Sequence, residues 1–478
     1  MSTISVTFAT LLPQSNFARR VIVLAAGTVV GQLVVFLASP ILTRLYSPQD
    51  FGVFAVYASL LSVLSVVAAM RYELAIPLPG DEQDASALVG LGLAVCVSMG
   101  VVMEVAVWFG ADRLMQVVNV PGLRPHLWLL PIAVTLVGAY QTFNYWAVRR
   151  GAFSRIARTK LMQDLASVSV QLALGAFGVG PLGLLVGDIA GRIAGLSVLS
   201  REGWRAFWCV SVRDIRDVAT RYKRFPLLSV WAAMLNVVSL QLPVLLLARF
   251  FGTYVAGHYA LSYRVLGLPA MLVGQAVGQV FFSAAAFLKN DSAALGRLTE
   301  RTAISLFYVG LPVFTALLFN GRRVFAFLFG QEWATAGVYA QIMAPWFFLW
   351  IVSSPLSQLL TVREWQGASL GFTVIELTLR FVSVYVGAIL GHPWLSIALL
   401  AISGVAVSTA AILWFFRAGY AQPIRVIHHA ARIVVLTALF VPLLIMPWLG
   451  AVHPLLPVTL FMLACYATAS PYLLRRLL

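Results

Sequence analysis

Apolar runs of about 18 to 25 residues recur along the whole chain, broken by short segments where charges, Gly and Pro gather. Each run is long enough to cross a hydrocarbon core of roughly 30 Å as a helix. Fourteen such spans are read, at 21–43, 51–70, 86–108, 127–148, 161–177, 182–200, 226–248, 258–286, 302–319, 338–360, 368–390, 394–416, 433–450 and 454–474. The fifth and sixth meet at G178-V-G-P-L-G183, and the last two are separated by A451-V-H453 alone. The pattern predicts an all-α polytopic membrane protein.

Composition agrees with that pattern. Of 478 residues 61% are hydrophobic and 10% charged, and the mean hydropathy is +0.91. Too few polar side chains remain to cover a water-soluble globule of this size. Positively charged loops resist translocation, so the distribution of Lys and Arg sets orientation. With the N-terminus inside, the cytoplasmic segments hold 24 of the 33 basic residues and the outer ones six: Arg44, Arg113, Arg124, Arg249, Arg322 and Arg323. Both termini are therefore expected in the cytoplasm. The net charge of +16 follows loop sidedness instead of forming one stripe, which points to topology and anionic lipid contact and away from nucleic acid. The segment before Arg19 lacks the basic start of a secretory signal, and no cleavage is expected.

No predicted outer loop exceeds about twenty residues, which leaves no room for a soluble catalytic domain. The longest soluble segment, 201–225, mixes aromatics with seven basic residues from Arg201 to Arg224 and reads as a basic interfacial linker on an anionic leaflet. It divides an N-terminal lobe of six spans (1–200) from a C-terminal lobe of six (226–416), with two extra spans in 417–478. An internal repeat supports the division. R44-L-Y-S-P-Q-D-F-G-V-F-A55 and R249-F-F-G-T-Y-V-A-G-H-Y-A260 align without gaps at an offset of 205, and L328-F-G-Q-E-W-A-T-A-G-V-Y-A340 is a looser third copy. A Gly beside an aromatic suits any interfacial hairpin, but a matched position in each half favours duplicated lobes, an arrangement that transporters use for alternating access.

Three basic residues fall inside spans. An Arg at a helix centre costs roughly 2.5 to 3.5 kcal/mol on insertion scales, so each needs a partner or a wet cavity. Asp188 and Arg192 are four apart in the sixth span, as are Glu376 and Arg380 in the eleventh, with the acid first in both. That is the favourable order for an i,i+4 pair; self-neutralised interface pairs and a role in gating or ion coupling both stay open. Lys160 and Asp164 form a similar pair near the cytoplasmic edge, and Glu104 is placed near the outer interface. Arg264 differs, because no acid stands three or four residues away on either side. It either snorkels to the headgroups or meets an anion in a water-filled cavity. Pro269, five residues on, would permit a kink there. Arg71, in A68-A-M-R-Y-E-L-A-I76, has Glu73 beside it.

Neither a G-x-x-x-x-G-K-[ST] loop nor H-E-x-x-H occurs, so neither a nucleotide motor nor a zinc hydrolase of that type is encoded. Cys96, Cys209 and Cys465 are isolated, and His428 and His429 sit in a basic loop; no catalytic residue, metal or cofactor is expected.

S39-P-I-L-T-R-L-Y-S-P-Q-D-F-G-V-F-A55, M70-R-Y-E-L-A-I-P-L78, Q141-T-F-N-Y-W-A-V-R-R-G-A-F153, G183-L-L-V-G187 and F329-G-Q-E-W-A-T-A-G-V-Y339 follow one another in an order and spacing that resembles the Wzx-type oligosaccharide flippases. These form the polysaccharide transporter branch of the multidrug/oligosaccharidyl-lipid/polysaccharide (MOP) exporter superfamily, and the resemblance covers about residues 17–390. It implies a MATE-like fold and movement of undecaprenyl-diphosphate-linked oligosaccharide from the inner to the outer leaflet of the bacterial inner membrane, for O-antigen, capsule or exopolysaccharide assembly. It also implies a polysaccharide polymerase and a chain-length regulator as partners. S262-Y-R-V-L-G-L-P-A-M271 resembles the eighth helix of the related lipid II flippases, so Arg264, and by the same comparison Arg71, match substrate-binding cavity arginines. The first span, R20-V-I-V-L-A-A-G-T-V-V-G31, lacks the further charges of that group, which argues against lipid II itself. By the same family analogy the last two spans would hold the polyprenyl tail.

Two other readings compete. A drug or cation exporter of the superfamily would have twelve spans and acidic cavities, against a lone positive midspan charge here. A polymerase or lipid-linked glycosyltransferase would carry a large outer loop, which is not predicted.

Overall fold

The computed structural model describes residues 16–207, 211–445 and 455–477; Cys209 and the junction at 451–453 lie outside them. The described residues are helical, with no strand among them. The chain divides into two compact units, Met1–Gln241 and Leu242–Leu478.

In the first unit, helix α1 (Asn16–Leu45) hands over through two residues to α2 (Pro48–Ser65), whose start is fixed by Pro48 and by a reciprocal cap between Ser47 and Asp50. Helices α3 (Glu82–Val118), α4 (Leu129–Arg149), α5 (Phe153–Ala176), α6 (Pro181–Phe207) and α7 (Val212–Arg221) follow. Between α5 and α6 the chain reverses on Gly178 and Gly180, both at φ above +60°, a conformation that only glycine adopts without strain. Gly183, Gly187, Gly191 and Gly195 then line one face of α6. A β-carbon at Gly191 would lie 2.6 Å from the Gln163 carbonyl oxygen, so small residues are what allow α5 and α6 to touch backbone to backbone. Tyr46 fastens the end of α1 to the same place, its hydroxyl donating to the Gln171 carbonyl at 2.6 Å. Helix α7, inside the basic segment 201–225, buries Val218 in a cluster with Ala75, Ile76, Leu88 and Leu199, and Arg221 pairs with Asp84 at 2.8 Å.

The second expected span is shorter than read. Helix α2 stops at Ser65 instead of running to 70, because turns bonded three residues back lead into Met70 and Arg71, both left-handed at φ 50° and 64°. A short 3₁₀ turn, Tyr72–Ala75, follows.

Helix α8 (Val230–Phe251) bridges the unit boundary. The second unit continues with α9 (Thr253–Phe287), α10 (Ser292–Phe329), α11 (Ala334–Leu356), the short α12 (Gln358–Val362), α13 (Gln366–Ile389), α14 (Pro393–Ala418), α15 (Pro423–Ile445) and α16 (Leu456–Leu477). Helix α11 packs on α9, α10 and α14 and buries Phe347 and Val352 completely. Gly404 of α14 leaves room for the Trp346 indole. Helices α15 and α16 close on α10 through Ala316, Leu444, Phe461 and Cys465. The repeat falls on the same junction in both units, since α2 begins at Pro48 and α9 at Thr253, 205 residues apart.

Each of the fourteen expected spans overlaps a helix, and among the described residues ten helices are long and apolar enough to cross a membrane. Helices α2, α4 and α5 fall short of that measure. The reason is plainest in α5, whose first half carries Arg155, Arg158, Lys160 and Asp164.

Candidate functional site

Four charged residues of the first unit, Lys160, Asp164, Asp188 and Arg192, gather in one neighbourhood. On α6 the Arg192 Nε and Nη2 donate to the two carboxylate oxygens of Asp188 at 2.7 and 2.9 Å, a two-pronged pairing that fixes both side chains. The Lys160 ammonium of α5 lies in electrostatic reach of both Asp164 and Arg192 and sits 5.2 Å from the centre of the Tyr140 ring. From α2 the fully buried Tyr57 lies in electrostatic reach of Asp188 and Arg192. The two pairs that sequence spacing kept apart are thus one group of two acids and two bases, made contiguous by the glycine face of α6. Tyr57 and Tyr140 carry no signal of this role in the sequence.

Arg71 is committed less well. Its Nη1 stands 3.8 Å from Glu73 Oε1, with Glu73 only 2% exposed; at that distance the contact is an ion pair and not a hydrogen bond. Arg71 Nε and Glu73 Oε2 are buried without a hydrogen bond to any described residue. Burial pushes the Glu73 carboxyl up from its usual range, partly offset by its own backbone N–H and by Arg71.

In the second unit the Arg380 Nη2 donates to Glu376 Oε2 at 2.8 Å, with Arg380 12% exposed. The pair borders a crevice with Trp346 of α11 and Ser403 and Gly404 of α14. Tyr259 and Tyr263 of α9 lie in electrostatic reach of Arg380, so the pair ties α13 to three other helices. Arg264, one residue beyond Tyr263, is half-buried on α9 and is not an isolated charge there. Helix α9 runs through Pro269 without a break. Below Arg264 on the same helix a polar cavity of about 400 Å³ opens, with Gln275, Gln279 and Gln358 among its walls. An apolar cavity of about 610 Å³ in the first unit is lined by Leu93, Phe143, Ile193 and Leu196. Among the described residues no three His, Cys, Asp or Glu side chains lie together as a metal donor set.

The fold is that of the MOP superfamily transporters. The inward closed conformation of the lipid II flippase MurJ superposes with a TM-score of 0.75 over 94% of this chain and 99% of that one, at 9% identity. An inward-facing multidrug resistance MATE family transporter of the superfamily matches with a TM-score of 0.62 over 83% and 95%, at 14% identity. At these identities the likeness shows architecture alone. Residues 41–337 match the polysaccharide biosynthesis protein family, and the chain belongs to that family. Among its relatives are the Escherichia coli (strain K12) lipopolysaccharide biosynthesis protein WzxC, 23% identical over 63% of this chain and 59% of that one. Another is the Rhizobium meliloti (strain 1021) succinoglycan biosynthesis transport protein ExoT, 25% identical over 63% and 60%. The chain therefore matches about three fifths of the length of these relatives.

Proposed function

We propose that this protein is a flippase that carries polyprenyl-diphosphate-linked oligosaccharide repeat units from the cytoplasmic to the outer leaflet of the bacterial inner membrane by alternating access, without covalent chemistry. The observation that carries the reading is the family match of residues 41–337 on a MOP-type helical fold. Two relatives support it by what they are named for, lipopolysaccharide biosynthesis and succinoglycan transport. In this reading all fourteen spans cross the membrane and both termini are cytoplasmic. Arg264 and Arg71 offset the desolvation of the diphosphate, while Asp188, Arg192, Glu376 and Arg380 serve gating or ion coupling. The product would pass to a polymerase and chain-length regulator.

Complementation of a strain lacking its own oligosaccharide flippase tests this, with wild type, Arg264→Ala and Arg264→Lys compared at equal membrane abundance. Restored surface polysaccharide in wild type, and its loss in Arg264→Ala with lipid-linked repeat units accumulating inside, is the expected result. Failure of wild type across strains with different repeat units would reject the flippase reading. Full activity of both variants would reject the role of Arg264.

A further inference from the structure

The cavity on α9 has walls unlike those of the charged sites. Helix α9 carries G274-Q-A-V-G-Q279, and both glycines face the end of α11. A β-carbon at Gly274 would lie 3.0 Å from the Ser354 hydroxyl, and one at Gly278 would lie 3.7 Å from the backbone of Pro355. This small-xxx-small spacing lets the two helices approach closely. The glutamines beside the glycines are displaced from the contact, and with Ser354, Ser357, Gln358, Trp350 and Phe282 they line a cavity of about 400 Å³. None of its lining residues is charged.

Two features mark it as a place for a ligand. Gln275 and Gln279 are exposed and Gln358 half-exposed, although α9 is apolar and long enough to span a membrane. Unpaired amides facing hydrocarbon would each cost several kcal/mol, so these three face water or a polar guest. None of their side-chain amides is hydrogen-bonded to a described residue in the structure, whereas the Ser357 hydroxyl is already used on the Ser354 carbonyl at 2.7 Å. The volume lies toward the lower end of ligand pockets, about 300–1,000 Å³. Chemistry narrows the guest. A cation would need a carboxylate and an anion an Arg or Lys, and the walls offer neither. A primary amide presents one acceptor and two donors, which can match neighbouring hydroxyls of a pyranose or the amide of an N-acetylamino sugar. The faces of Trp350 and Phe282 can cover the apolar C–H face of the same ring.

Position adds a constraint. Gln275 follows Arg264 by eleven residues, close to three turns, and so shares its face of α9 about 16 Å along the axis. We propose that this cavity is a saccharide subsite, taking uncharged pyranose residues of the lipid-linked cargo while Arg264 faces its diphosphate. The assignment rests on the flippase reading and adds to it the class of sugar recognised: hydroxyl- and acetamido-bearing, not uronic. With the termini inside, the subsite lies in the cytoplasmic half of α9, where cargo is loaded.

Equilibrium binding tests it, with purified full-length protein in detergent and three C15 polyprenyl diphosphate probes: bare, bearing a neutral N-acetylglucosamine disaccharide, and bearing the same disaccharide ended by glucuronic acid. Wild type should bind the neutral probe more tightly than either other. In Gln275→Leu and in Gln358→Leu the affinity ratio of neutral to bare probe should fall about fivefold each, and about 25-fold in the double variant, one net hydrogen bond being lost per amide. Because the ratio is internal to each preparation, partial misfolding does not mimic the effect. An unchanged ratio in the double variant, equal wild-type affinity for bare and neutral probes, or tighter binding of the glucuronate probe would each overturn the subsite. Albumin extraction of the same probes from proteoliposomes scores movement separately. Binding preference without any movement would overturn the flippase reading and leave the sugar site standing.

Discussion

Removing the acid of the α6 pair should hurt more than removing the pair. In Asp188→Ala, the Arg192 guanidinium loses two charge-assisted hydrogen bonds of 2.7 and 2.9 Å and is left beside the Lys160 ammonium, a like charge in electrostatic reach. Exposures of 27% for Arg192 and 20% for Asp188 put the pair nearer the buried limit, about 3–5 kcal/mol for an orphaned charge, than the surface limit of about 0–1 kcal/mol. About 2–4 kcal/mol of destabilisation is therefore expected. Arg192→Leu should cost less, about 1–3 kcal/mol, because it also removes the like charge beside Lys160. The double variant Asp188→Ala/Arg192→Leu removes both charges and should lose no more than about 2 kcal/mol, a coupling of roughly 2–3 kcal/mol between the two sites.

The assay is apparent Tm in detergent for the wild type and three variants, at one heating rate because such unfolding is irreversible. At about 2–4 °C per kcal/mol for a unit of this size, Asp188→Ala should melt roughly 5–10 °C low, and the double variant should recover most of that. Strict additivity of the single losses would refute the claim that the two side chains stabilise each other. Complementation by the double variant separates roles: retained transport leaves the pair structural, and lost transport at near-wild-type Tm assigns it to the transport cycle.

Two further expectations follow from burial and close contact. Glu73 is buried and its pKa raised, so the folded state holds its proton at pH values where the unfolded chain has released it. Stability from this group is greatest below about pH 4, the ordinary carboxylate range, and falls as pH rises toward the raised folded value. Glu73→Gln should accordingly raise apparent Tm at neutral pH and match wild type in acid; a drop at neutral pH would show that the ion pair with Arg71 outweighs desolvation. Gly191→Val puts a side chain against the Gln163 carbonyl, 2.6 Å from the β-carbon position, and should destabilise by about 3 kcal/mol through separation of α5 and α6. Gly267→Ala, with 3.6 Å of room to Phe347, should change Tm little, and equal effects of the two substitutions would contradict the packing argument.

Hydropathy located a helix at every expected span because backbone satisfaction in hydrocarbon leaves a long apolar run little alternative. The turn at Met70 and Arg71 was not legible, since neither residue type favours positive φ and only the surrounding packing imposes it. The i,i+4 pairs were legible because both partners share one helix. Tyr57 joins Asp188 from a different helix, 131 positions away along the chain, and no local pattern encodes that approach. Gln275 and Gln279 are hidden for the opposite reason: uncharged and embedded in an apolar run, they barely alter a hydropathy profile. The paired glycines beside them were the available signal, since a small-xxx-small face sets aside the neighbouring positions for something other than the helix contact.

The pairing also ranks the four arginines as anion sites. Arg192 holds its carboxylate with two short bonds, and Arg380 is mostly buried against Glu376. A diphosphate approaching either must first displace an acid whose own charge then needs a new partner, which offsets much of the attraction gained. Arg71 faces a smaller barrier: its contact to Glu73 is long at 3.8 Å, its Nε has no described acceptor, and protonation of Glu73 would release it entirely. Arg264 stands on the face of α9 that leads to the uncharged polar cavity. Neutralising Arg192 or Arg380 together with its acid should therefore act mainly on stability, whereas neutralising Arg71 or Arg264 should act on cargo handling.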